Sequence, residues 1–174
     1  MIDADGNVWK RLRRWQPAGT SRFLTFSCTG RLPLFRREET RDRFLFHLDE
    51  SLDGRAIELL AFVVMPEHVH LLVRPGPDGG EVAVFLKRLK MRFAYETLQI
   101  WRESRPAAYR AVTGTHGMAR FWLPGGGFDR AVRSEDAFWR HRTYIHQNPV
   151  KRGLVERAED YRWSSAWRRA GNPE

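Results

Sequence analysis

Two apolar segments separated by only two residues constrain the fold more than any other feature of the sequence. The segment 56–65 (AIELLAFVVM) is almost wholly apolar, and the segment 68–75 (HVHLLVRP) follows directly after Pro66 and Glu67. Apolar runs of this length with so short a connection are typical of neighbouring antiparallel strands. The simplest interpretation is a strand pair at the centre of a sheet.

The remaining patterns predict two further strands and three helices. Period-two alternation predicts a strand over residues 21–29, and the segment 128–132 is a candidate fourth strand. Apolar residues at helical spacing predict helices over residues 38–52 and 80–101. A third helix is predicted to start after Ser134 and to end at Pro149. This order predicts an α+β fold in which a four-stranded antiparallel sheet carries two helices on one face, with the third helix left over.

Composition limits the chain to one domain with a polyanionic partner as the first candidate. At 174 residues, with seven Trp and eleven Phe, the chain has enough apolar volume for one core. The formal charge of +9 favours nucleic acid, although a basic surface that only aids solubility fits the composition as well. The single Cys28 excludes an internal disulfide and a Cys-rich zinc cluster.

The segments outside the core suggest an arm and a short tail. Residues 1–20 are expected to form a basic N-terminal arm, residues 21–167 the domain, and residues 168–174 a C-terminal tail. The interval 102–127 is rich in Gly and Pro and is long enough to suggest a functional loop. Since no apolar stretch approaches the length of a membrane span, we expect a soluble, cytoplasmic protein without a membrane partner.

The histidines of the second apolar segment could hold a metal ion. His68 and His70 are two residues apart on a strand, so their side chains leave the same face with Cβ atoms roughly 7 Å apart. Val69 between them points to the opposite face. Two partly buried histidines that only form hydrogen bonds are an equally reasonable interpretation of this pair alone.

The third predicted helix carries a second candidate group. Within YIHQNP, Tyr144 and Asn148 are four residues apart and share one helix face. The Asn148 amide could be a third ligand beside His68 and His70, which suits Mg²⁺ or Mn²⁺. Tyr144 could be a nucleophile once a cation or base helps remove its proton, or simply a residue at the edge of the core. His146 points away from this face, which suggests a structural or DNA-contact role.

Three segments together carry a resemblance to a known family. VVMPEHVHLLVRP, YIHQNPVKRGLV and DYRWSS resemble the signature segments of REP-associated tyrosine transposases, which belong to the HUH single-strand transposase superfamily. The resemblance extends to RRWQPAGTSRFLTF, GRLPLF and GFDRAV, so that it covers most of residues 9–167.

The resemblance implies a ferredoxin-like sheet with an extra C-terminal helix that carries the tyrosine. It implies that His68 and His70 hold a divalent metal ion and that Tyr144 attacks DNA, leaving a 5′-phosphotyrosine and a free 3′-hydroxyl. Asn148 stands where relatives have a polar ligand, commonly Gln. The implied activity is cleavage and rejoining of single-stranded DNA beside repetitive palindromic sequences that fold as hairpins.

DNA contacts are expected from basic residues in several parts of the chain. The candidates are Arg11, Arg13, Arg14, Trp15, Arg22, Lys87, Arg88, Lys90, Arg92, Lys151 and Arg152. Two other functions remain open: a non-catalytic nucleic-acid-binding module of the same fold, and a phosphodiesterase in which metal-bound water attacks. A monomer is favoured, with a dimer as the alternative, and the aromatic residues of DYRWSS are expected to pack on the domain.

Overall fold

A computed structural model describes residues 19–76, 81–125 and 127–171, so the predicted arm with Arg11, Arg13, Arg14 and Trp15 lies outside the described residues. The strands and helices follow in the order β1 Arg22–Ser27, α1 Glu38–Leu52, β2 Ile57–Val64, β3 His68–Pro75, α2 Glu81–Ser104, α3 Pro106–Ala111, β4 Phe128–Ala131, α4 Glu135–Lys151 and α5 Ser165–Arg169. None of the described helices is both long enough and apolar enough to cross a membrane.

The four strands form one antiparallel sheet in the order β2-β3-β1-β4. This order interleaves two strand–helix–strand units and is that of a ferredoxin-like fold, which confirms the predicted fold class. Thr25 of β1 lies opposite His70 of β3, and Phe23 lies opposite Leu72. Paired residues point to the same face of a sheet, so these four side chains share a face.

The hydrophobic core lies between the other face of the sheet and the helices α1 and α2. Phe26 of β1 lies 6.2 Å from Phe44 of α1 and 5.0 Å from Trp122, measured between ring centroids. Phe35 stacks on Phe93 of α2 at 5.5 Å. Aromatic pairs at these distances add to the free energy gained by burying their area. This face therefore carries the aromatic part of the hydrophobic core.

Helix α4 covers the second face of the sheet. His141 of α4 stacks on Phe23 of β1 with ring centroids 4.4 Å apart. Ser134 begins the helix as predicted, because its Oγ accepts a hydrogen bond of 3.2 Å from the backbone N–H of Ala137. The helix is not left over, as the sequence suggested, but forms a second layer.

The prediction that α4 ends at Pro149 is wrong by two residues. The helix continues to Lys151 with Pro149 inside its last turn. A proline there removes one hydrogen bond but leaves the following turn intact. Gly153, two residues after the last residue of the helix, has a φ of 65°, the left-handed conformation that favours glycine just beyond a helix end.

The described part of the interval 102–127 contains a helix and buried side chains, where the sequence suggested a loop. It contains α3, and it places the buried side chains of Val112, Phe121 and Trp122 in the core. Gly127 then joins this interval to β4, and a Cβ at this position would lie 2.1 Å from the carbonyl oxygen of Thr25. The close approach holds β4 against β1 and requires glycine.

The segment 161–165, called here the C-terminal segment, packs on the edge of β2 that is not paired with β3. Tyr161 and Trp163 are buried, which confirms that these aromatic residues pack on the domain. The backbone N–H of Val64 donates to the carbonyl oxygen of Trp163 at 2.9 Å, and that of Phe62 donates to Ser165 Oγ at 3.0 Å. These bonds cover an edge that would otherwise expose unpaired backbone groups.

Candidate active site

The histidine pair faces α4 from the middle of the sheet. His68 Nε2 and His70 Nε2 point at each other and are 2.9 Å apart. The other ring nitrogens have partners: His68 Nδ1 lies 3.1 Å from Glu67 Oε1, and His70 Nδ1 lies 2.7 Å from Thr25 Oγ1. An ionised carboxylate can only accept, so His68 carries its proton on Nδ1 and leaves Nε2 bare. The lone pair of His68 therefore points at His70.

Both histidines are neutral near pH 7. Burial, with the charge of His68, lowers the pKa of His70 to about 3. Burial also lowers the pKa of His68, against the opposing effect of Glu67. A neutral imidazole is the form that binds a metal ion.

Glu67 joins the histidine pair to the end of α4. Its Oε1 accepts from His68 and also from Arg152 Nη1, at 2.6 Å. Burial raises the pKa of Glu67, but the hydrogen bond and charge of Arg152 together with His68 outweigh burial, so the pKa lies below its ordinary value. Glu67 therefore stays ionised and keeps the ring of His68 in one orientation.

Tyr144 lies directly against this pair. Its ring centroid is 5.2 Å from that of His70 and 6.0 Å from that of Phe23. The Lys151 ammonium lies 5.7 Å from the centre of the same ring. Tyr144 is 42% exposed, so its ring is accessible from solvent.

Asn148 and His146 differ in their surroundings. Asn148, one turn after Tyr144, is buried on α4, and its role as a third ligand stays a prediction. His146 lies 2.9 Å from Ser165 Oγ, and burial with the charges of Arg142 and Arg169 lowers its pKa to about 4. His146 thus joins α4 to the C-terminal segment.

The donor set fits a divalent ion with oxygen and nitrogen ligands. In the ranges that the structure describes, no three His, Cys, Asp or Glu side chains form a group that could hold a metal ion. The candidate donors are therefore two imidazoles and an amide. Adjacent ligands of an octahedral ion at about 2.1 Å are about 3 Å apart. The distance of 2.9 Å between the two Nε2 atoms agrees with that spacing.

The predicted DNA contacts are spread over both faces of the sheet. Lys87, Arg88, Lys90 and Arg92 lie on α2, on the opposite side of the sheet from Tyr144, and Lys90 is half-buried beside Phe26 and Trp122. Lys151 and Arg152 are exposed beside the histidine site. The DNA-binding role of these residues stays a prediction.

Arg22 does not fit the predicted DNA contact. It is only 3% exposed, and its Nε donates to Asp129 Oδ1 at 2.8 Å. Its side chain leaves β1 on the face of the core, where strand alternation places it away from Tyr144. Arg22 is therefore part of an internal ion pair.

The sequence interpretation missed several residues around Tyr144. Phe23, Thr25 and Glu67 contact the site through the sheet register, which no local pattern reveals. Arg140 and His141 stand four and three residues before Tyr144, a spacing that places them near it on α4. Arg130 and Arg140 add positive charge that, after burial, lowers the pKa of His141.

Comparison with known proteins identifies similar chains. The family model described as transposase IS200-like matches residues 23–116, more than half of the chain. A proposed REP-associated tyrosine transposase of Haemophilus influenzae is 27% identical over 116 residues, 67% of this chain and 62% of that protein. A REP-associated tyrosine transposase of Escherichia coli K12 is 30% identical over 111 residues, 64% of this chain and 55% of that protein.

A solved structure shows the same fold. It is a REP-associated tyrosine transposase bound to a REP hairpin, with a TM-score of 0.70, 22% sequence identity, and coverage of 91% of this chain and 83% of that chain. The present chain spans 62% and 55% of the two curated relatives, so it shares with them a core and not their whole length. Because the family model matches more than half of the chain, the chain belongs to the IS200-like transposase family.

Proposed function

We propose that this protein is a metal-dependent single-strand DNA endonuclease and transposase that cleaves and rejoins DNA through Tyr144. The observation that carries the proposal is the contact between the Tyr144 ring and His70, whose Nε2 faces that of His68 at 2.9 Å. A nucleophile beside two neutral imidazoles suits attack on a phosphodiester. The tyrosine and the histidine pair meet within one chain, which supports action as a monomer.

The chemistry is a transesterification at phosphorus. The Tyr144 oxygen forms a bond to phosphorus, the bond from phosphorus to the 3′ oxygen breaks, and the phenol proton is lost while the leaving 3′ oxygen gains one. The products are a 5′-phosphotyrosine and a 3′-hydroxyl, and the reverse attack by a 3′-hydroxyl rejoins DNA. The phosphotyrosine bond retains the energy of the phosphodiester bond that was broken, so rejoining the DNA requires no further energy source.

The residues divide this work between them. His68, His70 and Asn148 would hold Mg²⁺ or Mn²⁺, which as a Lewis acid supplies positive charge to the phosphate oxygens. The Lys151 ammonium, 5.7 Å from the centre of the Tyr144 ring, would attract the phosphate presented to the phenol. Phe23 and His70 contact the Tyr144 ring from the sheet, so that the nucleophile is oriented before substrate binds.

The proposed substrate is a hairpin formed by a palindromic repeat. Support comes from the structural relative, which is bound to a REP hairpin, and from the charge of +9 on this chain. Lys151 and Arg152 beside the site, with the basic side of α2, are the proposed phosphate contacts.

The deciding experiment tests for a covalent link to DNA. Wild-type protein and Tyr144→Phe are incubated with Mn²⁺ and a labelled pool of single-stranded repeats from the source genome, then denatured and separated by size. We expect a labelled adduct with wild type and none with Tyr144→Phe. Tyr109→Phe, a half-exposed tyrosine on α3, is the matched control and should form the adduct.

The other outcomes distinguish the alternatives. Cleavage that persists in Tyr144→Phe without any adduct would indicate hydrolysis by activated water. Salt-sensitive binding of the pool with neither cleavage nor adduct would indicate a non-catalytic binding module. Either result would overturn the proposal.

A further inference from the structure

A groove beside Tyr144 is lined by arginines that no sequence pattern singled out. It lies between β4 and the first turns of α4 and has a volume of about 510 Å³. It is lined by Arg130, Arg133, Arg140 and His141, together with smaller residues. We call these four residues the arginine groove. Ala137 of α4 also lines the groove, and its small side chain leaves space between the helix and the strand.

Among the residues that the structure describes, no acidic side chain pairs with the arginines of the arginine groove. Across the described ranges, no carboxylate lies within 4.0 Å of the guanidinium groups of Arg130, Arg133 or Arg140. The side chain of Asp129 turns to the opposite face of β4, where its Oδ1 accepts from Arg22 Nε at 2.8 Å. Three guanidinium groups held close together repel one another, so a bound anion would stabilise this arrangement.

The groove is continuous with the candidate active site. The ring of His141 stacks on Phe23 at 4.4 Å, and Phe23 contacts Tyr144 at 6.0 Å. Arg140 precedes Tyr144 by four residues, which is about one helical turn or 6 Å along the axis. A chain of phosphates that crosses the groove therefore reaches the phenol within a few nucleotides.

An exposed aromatic ring lies beside this path. Phe128 of β4 is 52% exposed, and its ring lies 6.0 Å from that of Phe23. It lies opposite Thr25 in the ladder, so its side chain is on the face of Tyr144. An exposed ring next to cationic side chains is the arrangement by which proteins hold unpaired bases and their phosphates.

We propose that the arginine groove binds the phosphodiester backbone of single-stranded DNA next to the bond that Tyr144 attacks, with one unpaired base stacked on Phe128. This inference rests on the proposed function, because it assigns the groove to the same substrate. Guanidinium forks bind phosphate through paired hydrogen bonds, which positions the strand without reading its sequence. A duplex would not offer a free base to Phe128.

The test compares two double variants of equal charge. Arg133→Gln with Arg140→Gln removes two groove cations, and Arg102→Gln with Arg110→Gln removes two exposed arginines from α2 and α3. Binding of a labelled mixed-sequence single strand of roughly 16 nucleotides is measured by fluorescence anisotropy across a salt series. Equal urea midpoints for the two double variants establish that both are folded.

We expect the groove variant to lose about 0.7 from the salt slope for each phosphate contact removed, or about fivefold in affinity per contact at 0.1 M salt. The control should lose less than about threefold, since its charges act only at long range. Phe128→Ala should weaken single-strand binding by at least about fivefold and leave duplex binding unchanged. Equal affinities and slopes for the two double variants would overturn the assignment of the groove.

The binding assay keeps this inference separate from the proposed function. Tyr144→Phe should bind the single strand like wild type, because the assay requires no reaction. If wild type forms no adduct but the groove variant still binds more weakly than its control, the proposed chemistry fails and the groove assignment stands. If adducts form equally in wild type and the groove variant, the groove does not serve the reaction and the inference fails.

Discussion

Neighbouring residues of β4 have opposite roles because strand side chains alternate. Asp129 turns to the face of α1 and α2 and binds Arg22, whose side chain is 4% exposed. Arg130 turns to the other face and lines the arginine groove. A charge therefore stabilises the protein on one side of the strand and remains available to a ligand on the other.

Removal of Asp129 should destabilise the fold strongly. Asp129→Ala leaves the buried Arg22 guanidinium without this carboxylate, and we expect a loss of about 3 kcal/mol in the free energy of unfolding. Arg22→Met combined with Asp129→Leu should cost less, since no buried charge is left. Urea denaturation of the three proteins checks the order, and a double variant less stable than the single one would contradict it.

His146 should make stability depend on pH. Its folded pKa of about 4 lies below the ordinary 6.5, so the unfolded chain binds more protons between these values. Its contribution is complete above pH 6.5 and is lost as the pH falls towards 4. We expect wild type to lose more stability from pH 7 to pH 5 than His146→Gln. Parallel losses in urea denaturation at the two pH values would exclude this role.

At this scale the sequence predicted the relative placement of those candidate site residues that stand close together along the chain. His68 and His70 share a strand face, and Tyr144 and Asn148 share a helix face, so local periodicity places each pair correctly. Thr25, Phe23 and Arg130 reach the site only through the register of β1 with β3 and β4. Register depends on contacts between distant segments, which a single sequence does not display.

The elements were predicted best where a clear periodic pattern extends over the whole element. The bounds of α1 and β3 agree with the prediction to the residue, because each has a clear start and stop. The short helices α3 and α5, of six and five residues, were missed. Helices of this length are stabilised by packing and not by their own propensity.

Ser165 should be the residue that attaches the C-terminal segment to β2. Its Oγ accepts from the backbone N–H of Phe62 at 3.0 Å and lies 2.9 Å from His146 Nε2. Ser165→Ala leaves a buried donor unpaired, so we expect a loss of about 1 to 3 kcal/mol in unfolding free energy. Ser104→Ala, an exposed serine in α2, should change stability by less than about 0.5 kcal/mol. Similar urea midpoints for the two variants would show that the attachment lies elsewhere.

For the whole molecule, the histidine site predicts stabilisation by metal ions. A ligand that binds only the folded chain raises its stability by about 2.7 kcal/mol at a hundredfold excess over its dissociation constant. For a domain of this size that corresponds to a rise of roughly 5 to 10 °C in melting temperature. We expect Mn²⁺ to raise the melting temperature of wild type, and not that of His68→Ala with His70→Ala. An equal rise in both would place the ion elsewhere.

The two faces of the sheet share backbone but divide the side chains between them. On β3, Val69, Leu71 and Val73 belong to the core, whereas His70 belongs to the site. Substitutions at exposed positions on the α4 side can therefore alter ligand binding without repacking the phenylalanine residues between the sheet and the helices α1 and α2. Such a protein can accumulate substitutions that change its ligand while the packing that stabilises its fold stays the same.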